Sequence, residues 1–197
     1  MSTRNAIRPL KADPQIGNFL GAPSFSLKHR VARALWNLLW LLLAAWTPAP
    51  LHHWRVFLLR LFRARVPYGA FVYGSARIWY PPNLIMHDCA TLGPGVNCYC
   101  MAPIEIGAYA IVSQGAFLCT GTHDIHHPSF QIYALPIRIE ANAWVCAEAF
   151  VGPGVTIAEG AVLSARGVAF QNLAAWSVFR GNPATKKSDR TPFERNV

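Results

Sequence analysis

The chain has 197 residues, 53% of them hydrophobic and 14% charged, which fits one domain or one domain with an arm and excludes a disordered chain. Its formal charge is +9, yet residues 1–66 hold ten of the eighteen Lys and Arg and one acid, Asp13. Basic charge on an apolar arm, with no base-reading motif beside it, points to an anionic membrane surface and away from nucleic acid.

Residues 1–27 lack periodicity and read as an extended arm. From Lys28 to Trp46 the sequence predicts a helix, basic at its start and crowded with Leu and Trp after it. The uncharged run from Ala34 to Pro48 is about fifteen residues, short of the roughly twenty that a spanning helix needs. It also begins too far into the chain for a secretory signal. TPAP at 47–50 breaks the helix. A second helix follows, with Trp54, Leu58, Leu61 and Phe62 on one side and Arg55, Arg60 and Arg63 largely elsewhere. Two readings of this 28–66 hairpin stand together: a cap over the open end of the next domain, or a peripheral membrane contact.

Residues 67–170 carry the strongest pattern. Ile139, Val145, Val151, Ile157, Leu163 and Ala169 recur every sixth position, and Ala143, Ala149, Val155, Ala161 and Gly167 sit four residues after the first five. No α-helix has a period of six, and a simple strand alternates at two. A hexapeptide period is that of a parallel β-helix, in which each repeat is a short strand and a corner. Upstream, Val72, Ile78, Met86, Leu92, Cys98, Ile106, Val112 and Leu118 continue the inward positions. Three longer intervals, after Ile78, Cys98 and Leu118, fall at one corner of successive triangular coils. The third is a loop over residues 124–138, and residues 171–197 form a C-terminal segment. The cysteines, Cys89, Cys98, Cys100, Cys119 and Cys146, are odd in number and without zinc-finger spacing, and read as reduced thiols of a cytoplasmic protein.

At the loop exit lies CTGTHDIHHPSF, residues 119–130. His123 is placed at the end of a strand and followed by Asp124. Imidazole titrates near neutral pH, so a histidine held on a rigid strand end suits general-base work. Position alone leaves a plain surface histidine equally open. His126 and His127 fall within the loop, facing solvent or substrate.

These repeats, the THD before the loop and the ending PGVTIAEGAVLSARGVAF…WSVFRGNPAT resemble the hexapeptide-repeat acyltransferases. More narrowly, the chain resembles the polysaccharide O-acetyltransferases typified by the colanic-acid biosynthesis enzyme, including helices like Trp36–Leu43 and Arg55–Phe62. The resemblance covers about residues 24–187. It implies an all-β core, a left-handed parallel β-helix behind an α-helical arm, working as a homotrimer with sites between subunits. It further implies acetyl-CoA as donor, a sugar or glycan hydroxyl as acceptor, and His123 as the base, with Asp124, His126 and His127 near the acceptor. The cofactor residues it implies are Trp144, Cys146 and Ala147, then Ser164, Ala165, Arg166 and Gly167. At the chain's end, Arg180, Asn182, Pro183, Lys186 and Lys187 would lie near the nucleotide; Lys186 and Lys187 read equally well as solvated tail charges. Cys146, Ala158 and Ser164 stand where the family often has glycine, and Gly167 where it has Ser or Thr.

Two readings from other classes use the same residues. A zinc hydratase of the γ-carbonic-anhydrase type needs three histidines from two subunits, and His87, His123 and His126 or His127 supply the count. The GNPA ending and the paired helices favour acyl transfer, for which no metal is expected. A catalytically silent binding scaffold is the second. Among transferases, a small acceptor such as an antibiotic or free sugar is the alternative to a polysaccharide.

Overall fold

The computed structural model describes residues 24–128 and 130–193; most of the expected extended arm, residues 1–23, lies outside them. Two helices, α1 (Leu27–Leu43) and α2 (His52–Leu61), precede a run of short strands. The first coil comprises β1 (Phe71–Val72), β2 (Arg77–Ile78) and β3 (Leu84–Met86), and the second β4 (Thr91–Leu92), β5 (Asn97–Tyr99) and β6 (Ile104–Ile106). The third holds β7 (Ile111–Val112), β8 (Phe117–Cys119), a hairpin of β9 (Gly121–His123) and β10 (Ile132–Ala134), and β11 (Ile137–Ile139). The fourth holds β12 (Trp144–Val145), β13 (Phe150–Val151) and β14 (Thr156–Ile157), and the fifth β15 (Val162–Leu163) and β16 (Val168–Ala169). Two longer strands, β17 (Ser177–Arg180) and β18 (Thr185–Asp189), end the fold.

The strands stack in parallel into three faces of a prism. The first face runs β1-β4-β7-β12-β15-β17, the second β2-β5-β8-β13-β16, the third β3-β6-β11-β14. The register matches the six-residue period: Val72, Leu92, Val112, Val145 and Leu163 align. Ile78, Cys98, Leu118, Val151 and Ala169 do the same on the second face, and Met86, Ile106, Ile139 and Ile157 on the third. None of these side chains is more than 3% exposed. Small residues at the corners, such as Ala143, Ala149 and Ala161, are also buried. They let successive coils meet at the strand spacing of about 4.8 Å. The long intervals all turn the corner between the second and third faces, as the sequence predicts.

Two details differ from the sequence reading. The excursion over residues 124–138 is a hairpin, with His123 opposite Ile132 and Gly121 opposite Ala134, and the coil resumes at Ile137. A period of six carries no information about a segment that leaves the coil. The second difference is in α2, whose packed face is Arg55, Val56, Leu58 and Leu59, whereas Trp54 and Leu61 are exposed. Helical periodicity assigns a charged side chain outward, but Arg55 has a use inside. Its Nε donates to Val72 O at 2.6 Å, and its Nη1 donates to Thr47 Oγ1 at 2.7 Å and Pro48 O at 3.0 Å. One buried guanidinium thus ties the turn between the helices to the first coil. Indole donors do similar work: Trp36 Nε1 donates to Ile78 O at 2.7 Å and Trp40 Nε1 to Gly74 O at 2.9 Å. The helices approach so closely that a Cβ at Gly74 would lie 2.5 Å from Ala44 O. They cover the open coil and satisfy carbonyls that the first strands would otherwise bury without a partner.

Candidate active site

His123 owes its position to a pinned exit from the third coil. Thr120, fully buried, donates its hydroxyl to Tyr99 O at 2.7 Å and accepts from Ala102 N at 3.1 Å. Next, Gly121 passes so near its neighbours that a Cβ would meet Met101 Sδ at 2.7 Å and Tyr99 Cε1 at 2.8 Å. β9 then leaves the corner against β10 and ends on His123, which is half-buried. Its Nδ1 lies 2.8 Å from Phe130 O, and its ring stacks on the Phe130 ring with centroids 4.5 Å apart and 15° between planes. A carbonyl only accepts, so Nδ1 carries the proton and Nε2 is the basic nitrogen.

The neighbouring candidates hold the hairpin tip. Asp124 N donates to Gln131 O at 2.8 Å, and its carboxylate accepts from His126 N at 3.0 Å. His126 and His127 are exposed beside it. His87 is elsewhere, on the third face, with Nε2 3.0 Å from Glu105 Oε1. Among the described residues, no three His, Cys, Asp or Glu side chains form a metal-holding group.

The candidate cofactor residues line a different edge, the corner between the first and second faces. Trp144 ends its outward course with Nε1 donating to Ser113 Oγ at 2.8 Å. Cys146 is buried and Ala147 half-buried; burial and a Cys146 backbone contact with Leu163 O at 2.9 Å fix this corner, and burial raises the thiol pKa. One coil on, Ser164 is half-buried, Ala165 and Arg166 are exposed, and Gly167 is buried. Arg166 takes a left-handed backbone, φ 57°, as does Glu148 directly before it in the stack, and their side chains pair at 2.6 Å. The GNPA segment closes the same edge: Val168 N donates to Gly181 O at 2.9 Å and Ala184 N to Val168 O at 2.8 Å. Arg180, Asn182 and Pro183 are exposed there. Lys186 and Lys187 are exposed on β18, with Lys186 Nζ 2.6 Å from Asp189 Oδ1.

Within one chain, then, His123 leaves from one edge and the cofactor candidates line another. Between them lies the second face, whose outer surface carries a ladder of Phe117, Phe150 and Phe170 with centroids 5.4 and 5.5 Å apart. The sequence reading missed Thr120, Gly121 and Phe130. Nothing in the spacing marks Phe130, because its contact with His123 is created by hairpin pairing.

No family model matches the chain. It is 42% identical over 160 residues to a protein of Escherichia coli (strain K12) named as a colanic acid biosynthesis acetyltransferase, WcaF, covering 81% of this chain and 88% of that one. A Shigella flexneri protein of the same name matches to the same extent. Among solved structures, a maltose O-acetyltransferase from Clostridium difficile 630 superposes with a TM-score of 0.75 at 21% identity, over 85% of this chain and 90% of its own. A galactoside acetyltransferase in complex with coenzyme A gives 0.66 at 17%, over 86% of each chain. At such identities the likeness is one of fold.

Proposed function

Since the chain belongs to the family of the colanic acid biosynthesis acetyltransferases, we propose that it transfers acetyl from acetyl-CoA to a sugar hydroxyl of a bacterial polysaccharide or glycan. His123 is the general base. The observation that carries this role is the Nδ1 contact to Phe130 O, which aims a proton-accepting Nε2 out of the hairpin. In the reaction the acceptor O–H gives its proton to Nε2 as its oxygen attacks the thioester carbonyl. The C–S bond then breaks, and the departing CoA thiolate takes the proton back from the imidazolium. No acyl-enzyme is needed, because holding both substrates in one cleft supplies much of the rate.

Acetyl-CoA lies along the edge from Trp144–Ala147 through Ser164–Gly167 to Arg180, Asn182 and Pro183, with Lys186 and Lys187 near its phosphates. The solved relative held with coenzyme A supports this choice of donor. Base and cofactor edges stand apart in one chain, so a homotrimer completes each site by setting one prism's edge against its neighbour's hairpin. The helical arm rests on the membrane surface through its outer face. Replacing His123 by Ala is expected to lower acetyl transfer about 10²–10⁴-fold with fold and assembly intact. Near wild-type release of free CoA thiol by the purified variant would assign the base elsewhere.

A further inference from the structure

A cleft of about 240 Å³ opens where the end of α2 meets α1 and the turn at Pro81–Asn83. Its floor is apolar: Trp36 and Phe62, with rings 5.1 Å apart, join the two helices, and buried Pro81 shares the lining. Two arginines line it as well. Arg33 stands one turn before Trp36 on α1, and Arg63 directly follows Phe62. No carboxylate lines the cleft, and among the described residues neither arginine pairs with one.

Neither arginine is accounted for by the fold. Arg33 Nε is buried and, among the described residues, has no hydrogen-bond partner; its guanidinium lies 3.9 Å over the Trp79 ring, a contact that leaves the N–H unmatched. A buried donor left open costs its lost hydration, and burial lowers the Arg33 pKa accordingly. Arg63 sits just past the end of α2 at φ 67°, a left-handed backbone that favours glycine there. One ligand group answers both observations, a phosphate held between two guanidiniums. Leu61, 64% exposed, belongs both to the cleft and to the apolar outer surface of the helices. A free phosphate would leave that rim and the Trp36–Phe62 floor uncovered, whereas a phosphate on an alkyl chain covers them. We infer that this cleft binds the phosphate group of one membrane lipid, whose chain leaves across Leu61. The inference rests on the membrane contact proposed for the helical arm, and turns a general attraction of basic charge into a site for one head group.

Octyl phosphate, kept below its micellar concentration, supplies the probe, titrated calorimetrically into the full chain beside inorganic phosphate and octanol. It is expected to bind once per chain and at least tenfold more tightly than either. Arg63→Gly should weaken it about tenfold, the worth of one hydrogen bond to a charged group, while the melting temperature holds or rises because glycine suits the left-handed turn. Arg33→Gln, which keeps the stem of the side chain, should weaken it by a similar factor. Leu38→Ser with Leu42→Ser, outside the cleft, should bind octyl phosphate as the wild-type chain does. Affinity for octanol or inorganic phosphate equal to that for octyl phosphate, no binding by the wild-type chain, or unchanged binding in either arginine variant would each overturn the site. So would a lower melting temperature of Arg63→Gly, which would give that arginine a structural reason to be there. Sedimentation with anionic vesicles is scored separately: sedimentation without octyl phosphate binding refutes the cleft and leaves the membrane contact, and binding without sedimentation refutes the contact and leaves the cleft standing.

Discussion

At its N-terminal end the prism is closed by α1 and α2, and at its C-terminal end by β18 folding back antiparallel on β17. The inner sides of the two closures are alike, since both supply hydrogen-bond partners to an edge that would otherwise be free. Their outer sides are opposite. Every residue of β18, Thr185 to Asp189, is exposed and polar or charged. On the helices Val31, Leu35, Leu38, Leu42, Phe57 and Leu61 are exposed instead, and no acid lies between residues 24 and 66. A short polar strand is enough to end a β-helix, so the apolar outer face of the helices exceeds what closure requires.

The comparison presumes one continuous core joining both ends, and the largest expected effect tests it. Val151 is fully buried at mid-prism, between Leu118 and Ala169. Val151→Asp should cost several kcal/mol by burying a carboxylate without a partner, and both ends should unfold together. Separate transitions for helices and prism in thermal unfolding would break the single-core picture.

Arg55→Met keeps the stem of the side chain and removes the guanidinium, cutting its bonds to Val72 O, which keeps only His52 Nδ1, and to Thr47, Pro48 and Ala49 in the turn. A loss of about 3 kcal/mol is expected, seen as a lower urea midpoint, with protection from hydrogen exchange lost first in α2 and β1. If the midpoint does not move, the helices are not held by this residue.

These two positions also mark what the sequence could and could not convey. Val151 was legible because an inward residue every six positions has one structural meaning and the repeats reinforce each other. The corner that carries the excursion was legible for the same reason, since three interruptions fall in step. Arg55 was not, because periodicity sorts residues by polarity and a buried guanidinium serving carbonyls breaks that sorting. The site divides likewise. His123 was marked by ending the last strand before the loop, whereas its orientation depends on Phe130, seven residues on, through a hairpin that has no period. The candidate cofactor edge came from likeness to a family, and the stacking of corners at 146–149, 164–167 and 181–184 puts its residues on a common line.

The ends should differ next in their response to acid. Burial, and then the charge of Arg33, lowers the pKa of His29, which packs among Phe25, Trp79 and Tyr80. Burial also lowers His52, against the bond of its Nδ1 to Val72 O. The unfolded chain has histidines near pH 6.5 and so binds more protons than the folded one below that point. Stability contributed by these groups is complete above about pH 7 and is lost as pH falls through 6.5 toward the lowered values. No histidine follows His127, so β17 and β18 lack this sensitivity. Hydrogen exchange, corrected for its intrinsic pH dependence, should show α1 and α2 loosening at pH 5.5 relative to pH 7.5 while β17 and β18 do not. His29→Phe should flatten the difference; equal loosening at both ends would remove the asymmetry.

The smallest effect on stability should come from the outer face itself, where the comparison has most to gain. Leu38 and Leu42 lie one helical turn apart on α1, 52% and 55% exposed. Leu38→Ser with Leu42→Ser removes no core contact, so the unfolding free energy should stay within about 0.5 kcal/mol. Among the described residues no helix is long and apolar enough to cross a membrane, so contact of this face with a bilayer would be with its surface. Lys28, Arg30, Arg60 and Arg63 sit exposed on the same helices and their flanks, each adding roughly 1 kcal/mol near anionic lipid. Wild-type protein should therefore sediment with phosphatidylglycerol vesicles at low salt, less so with neutral phosphatidylcholine, and the double variant at least tenfold more weakly with both. If the wild-type chain stays in the supernatant at low salt, lipid is not what covers the leucines. A protein surface then takes its place, and the double variant should change the assembly's mass by light scattering where it leaves the fold untouched.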